Sequence, residues 1–517
     1  MDNTSNNKNS NENIDKKNFN NKKIRSNFIR PTYKMPEMKK ISESCWEIPI
    51  SYKEGMKVTA KVIANDEIKG ALEAGVFHQI SNVATLPGVQ KAIFCMPDAH
   101  WGYGFPIGGV AAFDPEQGGI ISPGGIGFDI NCGMRLVRTN LNITEVQPKI
   151  KELIDLIYQK VPAGVGRKGT VKITREEFKD VVEKGAKWCL EKGYAWESDV
   201  EHIEDNGCIP GADASNVSDK AVSRGFDQLG TLGSGNHYLE IQVVKDENIF
   251  DREIAHKLGV DKDGQIVIMI HCGSRGFGHQ IGTDYLRQFL DVMPKYGIKI
   301  LDRELACAPI NSPEGKAYYS AMACAANMAF VNRQIITYRV RKAFEQVFGK
   351  TAEEMEMELI YDVAHNIAKF EKHIIDGKEK LLLVHRKGAT RAFGPSRAES
   401  LPEDYADIGQ PVILGGSMET GSYLLVGTDK SDESFASTAH GAGRVLSRMA
   451  AKKKYNGEEL QKKMMSEGIY VKAASMKGLA EEAGGAYKDI NSVVDSLEKV
   501  GITKKVVALK PIGNVKG

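Results

Sequence analysis

The segment Ser437-Thr438-Ala439-His440-Gly441-Ala442-Gly443-Arg444 sets one imidazole between hydroxyl residues and a glycine-rich turn. A neutral imidazole is a competent nucleophile. The run 445–452 behind it has a helical pattern, so the reading puts His440, exposed, beside a helix start suited to phosphate. Three other histidines keep similar company: Gly235-Asn236-His237, His271-Cys272-Gly273-Ser274-Arg275-Gly276 and Asp362-Val363-Ala364-His365-Asn366. Asp129 and Cys132, three positions apart in a glycine-bounded turn, add a carboxylate and a thiol. Taken singly, an aspartate in a turn, a small buried cysteine or a strand-end histidine is an ordinary feature. Together they are a sufficient ligand set for a metal centre of up to two ions, and the chain reads as a metalloenzyme. Sulfur with imidazole suits zinc, whereas carboxylate with open positions suits manganese, and both stay open here. Paired cations suit phosphoryl transfer.

These residues must be carried by a scaffold. Short apolar runs at 91–95, 266–270, 381–384 and 411–414 read as buried strands, each ending near Gly, His or Asp. Helical patterns cover 146–161, 175–192, 316–348 and 437–454. The class is α/β (α+β), with central sheets and surrounding helices. Because the motifs are scattered from position 98 to 516, residues 38–517 are expected to form a single large catalytic domain. Residues 1–34 hold ten asparagines in the first thirty positions and few large apolar groups, which predicts a disordered tail.

Composition narrows the function classes. With 69 basic and 67 acidic residues the net charge is +2, so a general positive coat is excluded while a local basic groove is not. Eight scattered cysteines without a CxxC pair do not form a secreted disulfide framework. No apolar run approaches the roughly 20 residues that span a bilayer. A soluble, cytoplasmic protein with no membrane partner is the expectation. The string Gly164-Val165-Gly166-Arg167-Lys168-Gly169 matches GxGxxG but follows a helical stretch, not a strand, so it is read as no dinucleotide site. Arg167 and Lys168 stay as phosphate contacts. There is no GxxxxGK[ST] loop and no K-x-D-G nucleophile motif. His279 and His385 are weaker ligand candidates, and His385-Arg386-Lys387 reads as a phosphate-binding loop.

Taken in order, residues 97–109 (Pro97-Asp98-Ala99-His100-Trp101-Gly102-Tyr103-Gly104 and onward), the Asp129 turn, Gly233-Ser234-Gly235-Asn236-His237, the His271 loop, the His365 segment and the His440 segment closely resemble the RtcB family of RNA ligases, over residues 38–517. The resemblance implies joining of a 2′,3′-cyclic phosphate or 3′-phosphate RNA end to a 5′-hydroxyl end, in tRNA splicing or RNA repair. GTP is the implied co-substrate and two manganese ions the cofactor. It implies that Cys132 bridges the ions, with Asp129 and His237 at one and His271 and His365 at the other. It implies that His440 becomes guanylylated, and that GMP then passes to the RNA 3′-phosphate. Arg444 and Arg275 are the implied charge stabilisers. The implied GTP contacts are Asn236, His237, Tyr238, Leu239, Glu240, His365, Asn366, Gly415, Gly416, Ser417, Met418, Ser422, His440, Gly441, Ala442, Gly443 and Lys516, with Glu240 accepting from the guanine edge. Arg386, Lys387 and Arg391 are implied phosphate contacts, and an archease-type activator is an implied partner. Glu419 departs from the small residue expected after Met418. Its charge either weakens phosphate binding or faces solvent.

Three other functions compete: a 3′-phosphate guanylyl capping enzyme on the same scaffold, a silent RNA-binding factor, and a metal-dependent phosphoesterase. The second has no use for His440 and five ligands, and the third none for His440 or Lys516.

Overall fold

The computed structural model describes residues 33–517. The expected tail lies outside them except for Tyr33 and Lys34. Tyr33 stacks on His78 with ring centroids 4.0 Å apart, and the Lys34 carbonyl accepts from the Tyr52 hydroxyl at 3.1 Å, so folded sequence starts earlier than position 38.

Two large, mostly antiparallel sheets form the body. The first runs in the order Lys39–Ser42, Cys45–Ile48, Thr59–Ile63, Ala92–His100, Ile107–Phe113, Lys378–Lys387, Asn366–Ile375. The second runs Leu359–Ala364, Gly133–Asn142, Gln265–Cys272, Tyr238–Ile249, Thr503–Lys516, Ser422–Gly427, Pro411–Gly415, with Tyr470–Ala473 beside Thr503–Lys516. Three of the four expected strands fall within these elements, and the fourth, 91–95, starts one residue before Ala92–His100. Along Gln265–Cys272, Ile266, Ile268 and Ile270 pack into the main core while Val267 and Met269 join a second cluster. This alternation shows the sheet buried on both faces, which is why the strand reads as an unbroken apolar run.

The expected helix at 316–348 is Pro313–Phe348, started by Ser312, whose hydroxyl accepts from the Gly315 N–H, and stopped by Gly349 at φ +69°. Most of it is buried, so its polar residues need partners inside the protein. The 175–192 pattern is cut into Arg175–Lys184 and Ala186–Glu191 by Gly185, where a Cβ would sit 2.1 Å from the Gly207 carbonyl oxygen. The 146–161 pattern begins with a separate short turn and becomes helix at Ile150–Lys160. The 437–454 expectation is overturned. Ser437–Ala439 is a strand paired with Ala389–Arg391, and helix begins only at Arg448. Two glycines, Gly441 and Gly443, and the small, polar Ser-Thr-Ala run outweigh a periodicity that only the later residues carry.

Candidate metal and nucleotide site

Four ligand positions meet because four adjacent strands of the second sheet end at one place. Strand Gly133–Asn142 starts just after Cys132, and Gln265–Cys272 ends on His271 and Cys272. Leu359–Ala364 stops just before His365, and Tyr238–Ile249 starts just after His237. Register aligns Ala364 with Gly133 and Cys272, and Met134 and Tyr238 with His271. Antiparallel pairing thus converts distant sequence positions into neighbours.

The ligand atoms converge as expected. Cys132 Sγ lies 3.2 Å from both His237 Nε2 and His271 Nε2, His271 Nε2 is 3.3 Å from His365 Nε2, and Asp129 Oδ2 is 2.8 Å from His237 Nε2. They form two sets, Asp129–Cys132–His237 and Cys132–His271–His365, with the thiol common to both. Such separations match the edges of a coordination polyhedron around an ion about 2.0–2.3 Å from each ligand. Buried Asp129 Oδ1 and His365 Nδ1 have no hydrogen-bond partner in the protein. Burial pushes the Cys132 thiol up to about 12, a cost that a cation on the sulfur reverses. Burial, then neighbouring positive charge, holds His271 and His365 well below the ordinary histidine range, in the neutral form a ligand needs. Burial also opposes charge on His237, but Cys132, Cys272 and Asp129 outweigh it and raise its pKa. The donor set fits a divalent cation pair.

The turn is held by residues the motifs did not flag. Arg333, buried on the long helix, donates to the Asn131 and Cys272 carbonyls at 2.8 Å and pairs with Asp362 at 2.7 Å. One guanidinium thus ties three ligand-bearing segments together. Asp362 also pairs with Arg135, and Asn366 donates to the Asp129 carbonyl and accepts from Gly388 N–H, so these two neighbours brace the turn rather than the His365 ring.

His440 follows strand Ser437–Ala439 rather than preceding a helix, and its side chain is 13% exposed. Its Nδ1 is 2.5 Å from Asp98 Oδ2, and the same oxygen accepts from the His440 and Gly441 N–H groups at 3.0 and 3.2 Å. Burial would raise the Asp98 pKa, but the His440 imidazole and then Lys488 hold it below the usual range. Lys488 donates to the carbonyls on either side of Asp98, Pro97 and Ala99, at 2.8 and 2.5 Å. Gly443, at φ +71°, is packed so closely that a Cβ would sit 1.9 Å from the Asp98 carbonyl oxygen. With Nδ1 committed to Asp98, Nε2 is the nitrogen left for chemistry. The His440 ring lies 4.8 Å from that of His365.

A cleft joins this imidazole to the ligands. Asn236, Tyr238, His365, Asn366, Gly415, Gly416, Ser417, Met418, His440, Gly441, Ala442, Gly443, Arg444 and Lys516 all line it, together with Arg448, Glu482 and Tyr487, which the motifs had not flagged. His237, Leu239, Glu240 and Ser422 do not line it. By strand alternation Leu239 points into the main core. Glu240 shares Tyr238's face but accepts from Asn514 and Gln242 at 2.7 Å each, and Ser422 accepts from Gln242 at 3.1 Å. Arg444 reaches the cleft, yet it pairs with Glu482 at 3.0 Å and donates to the Glu481 carbonyl at 2.6 Å. Lys516 lies 3.5 Å from Glu482.

Other expectations are corrected. His385-Arg386-Lys387 is the buried end of a strand, not a loop. His385 accepts from Ser122 N–H, Arg386 pairs with Glu371 at 2.6 Å, and Lys387 gives its hydrogens to the Tyr103, Phe105 and Gly124 carbonyls. Arg391 pairs with Asp205 at 2.9 Å, and Arg275 donates to Thr231 Oγ1 at 3.2 Å and to the Gly164 carbonyl at 3.3 Å. Internal partners therefore occupy these cationic groups, although Lys387 also lines the cleft. Glu419 neither meets the cleft nor faces solvent: Lys463 pairs with it at 2.6 Å and the Gly484 N–H donates to it at 2.6 Å. His279 sits on an outer helix against Phe128. The GxGxxG string lies in a loop after helix Ile150–Lys160, with Val165 85% exposed and Lys168 3.3 Å from Asp227. Among the described residues no helix is long and apolar enough to cross a membrane.

Comparison with known proteins agrees with the geometry. Residues 79–517 match the family described as tRNA-splicing ligase RtcB. Proteins named tRNA-splicing ligase RtcB from Methanococcus maripaludis and Archaeoglobus fulgidus are 54% and 52% identical over 479 and 481 residues, or 92% and 93% of this chain and 99% of each relative. One from Thermococcus kodakarensis is 51% identical over 485 residues.

Proposed function

The chain belongs to the RtcB family, whose relatives above are named tRNA-splicing ligases, and from that premise we propose that it is a GTP-dependent RNA ligase working through a guanylylated His440. Its substrates on this reading are RNA ends carrying a 2′,3′-cyclic phosphate or 3′-phosphate and ends carrying a 5′-hydroxyl. The carrying observation is the contact of His440 Nδ1 with buried Asp98 at 2.5 Å, in a cleft that His440 lines together with Asp129, Cys132, His271 and His365.

His440 Nε2 attacks the α-phosphorus of GTP; the new N–P bond replaces the bond to pyrophosphate, which leaves. Asp98 holds the ring and balances the positive charge that develops on it. Water opens a cyclic end to a 3′-phosphate, one oxygen of which displaces His440 from the GMP phosphorus. The 5′-hydroxyl oxygen then attacks the RNA phosphorus, GMP leaves, and the hydroxyl proton is released. Asp129, Cys132, His237, His271 and His365 would hold two manganese ions, which when bound polarise phosphate oxygens and offset charge on leaving oxygens. Lys516, Asn236 and the 415–418 turn position the nucleotide. An archease-type activator is compatible with this scheme.

Incubation with α-labelled GTP and manganese, followed by denaturing separation, tests the first step. The expected adduct is acid-labile and alkali-stable. His440→Ala should lose both adduct and joining, yet still join RNA supplied with its 3′-phosphate already guanylylated. Label retained on the His440→Ala protein defeats the mechanism at its first step, and guanylylated RNA that is never joined identifies a capping enzyme instead.

A further inference from the structure

The cleft has a second wall that the scheme above does not use. Tyr103 and Phe128 both line it, with ring centroids 5.2 Å apart at 62°, and Phe128 stacks on His279 at 5.2 Å and 27°. Tyr103 and Phe128 are partly exposed and His279 is exposed. The ladder therefore runs from the cleft to the surface. A packing cluster looks different: Tyr285 and Phe289 of the His279 helix and Tyr318 of the long helix have ring centroids 5.0 to 6.0 Å apart, but all three are buried. Rings kept at a wet mouth are instead available to a flat ligand.

The wall is fixed in place before any ligand arrives. Lys387 donates to the Tyr103 and Phe105 carbonyls from within the protein, and Gly104 N–H donates to Glu304 at 2.7 Å. Phe128 lies against the helix at Gly282, where a Cβ would come within 3.4 Å of its ring. Phe128 also immediately precedes Asp129, whose carboxylate belongs to the ligand cluster. A nucleotide whose phosphate reaches that cluster has its base within reach of these rings. Aromatic side chains stack single-stranded bases with little regard to sequence, because every base offers a π-face.

We propose that Tyr103, Phe128 and His279 form a stacking platform for the unpaired terminal base of an RNA end delivered to the ligand cluster. The proposal rests on the ligase reading above. It assigns a base subsite without hydrogen-bond readout, so terminal purines bind better than pyrimidines only through stacking strength.

Joining by the full chain is followed at fixed GTP and manganese while RNA is varied, with an abasic terminal nucleotide placed on the 3′-phosphate strand in one series and the 5′-hydroxyl strand in another. In one series the abasic residue should raise KM about tenfold in the unmodified protein, and that series identifies the strand. Phe128→Ala should raise KM for intact RNA by a similar factor, lose nothing more on the abasic RNA, and be rescued by Phe128→Tyr. If Phe128→Ala fails to fold, His279→Ala, with a smaller loss on intact RNA only, takes its place. No abasic effect in either series, or equal losses by the variant on intact and abasic RNA, overturns the platform. Labelling by GTP without RNA separates the two levels: adduct formed with no abasic effect removes only the platform, whereas no adduct removes the reading beneath it.

Discussion

The ligand cluster and the nucleotide wall share one cleft but are built in different ways. In the cluster, Cys132, His237, His271 and His365 all stand at the ends of neighbouring strands in one sheet, and backbone register brings their side chains together, with Arg333 tying the segments behind them. In the nucleotide wall, His440, Asp98, Glu482, Tyr487 and Lys516 come from a short strand, a strand end in the other sheet, a turn and the last strand, and side-chain pairing joins them. The cluster is a set of weakly solvated donors that a cation would complete. The wall is a network of compensating charges that, on the proposed function, a phosphate has to enter. A change in the cluster should therefore delete a site, and a change in the wall should detune one.

Cys132→Ser tests the first half of that contrast and carries the largest expected effect. Because the thiol belongs to both ligand sets, its loss should weaken manganese binding at both positions by more than about 100-fold, beyond the usual cost of a supporting residue. Circular dichroism should show the fold unchanged, since the side chain's neighbours are ligands rather than core. Calorimetry that finds undiminished manganese binding would remove Cys132 from the site.

Asp98→Asn tests the second half. The amide can still meet backbone N–H groups at His440 and Gly441, but it cannot balance charge on the ring. Adduct formation should fall by about 100-fold or more, the scale of a positioned acid–base partner, with manganese binding unchanged. A fall in manganese affinity of the same size would mean that the two halves are one unit and that the contrast is false.

The difference also governed what the sequence could reveal. Strand 266–270 is apolar on both faces because both faces are buried, and it ends on His271, so residue type and element are read together. Nothing near Arg333 marks it as the tie between Asn131, Cys272 and Asp362, except that a cation in a buried helix must have partners. Arg386 and Arg391 show the converse: a basic residue near a motif looks like a phosphate contact until its partners, Glu371 and Asp205, are seen. Asp98 stood within a recognised motif, but its role depends on a residue 342 positions away. The His440 segment reads as helix only when periodicity in 445–454 is extended back across Gly441 and Gly443. Local chemistry was legible, and long-range compensation was not.

Glu240 lies where the two constructions meet, and its effect should be the smallest of the three. It sits on the face of its strand that carries Tyr238, which lines the cleft, yet its own carboxylate already accepts from Asn514 and Gln242. Each oxygen keeps one further acceptor position, enough for guanine N–H groups if a nucleotide displaces the lining side chains. Burial raises its pKa to about 7, with Gln242 and Lys516 pulling the other way. As an acid it is neutral below that value and anionic above it. Preference for GTP over ATP should therefore strengthen as pH rises through about 7 and weaken as pH falls. Glu240→Ala should cost about 1–3 kcal/mol in kcat/KM for GTP, narrow the preference and flatten its pH dependence. A purely structural tie between strands Tyr238–Ile249 and Thr503–Lys516 predicts something else: lower thermal stability with the GTP-to-ATP ratio unchanged at every pH. Measuring that ratio between pH 6 and 8 in both proteins decides whether Glu240 belongs to the nucleotide wall or only to the sheet behind it.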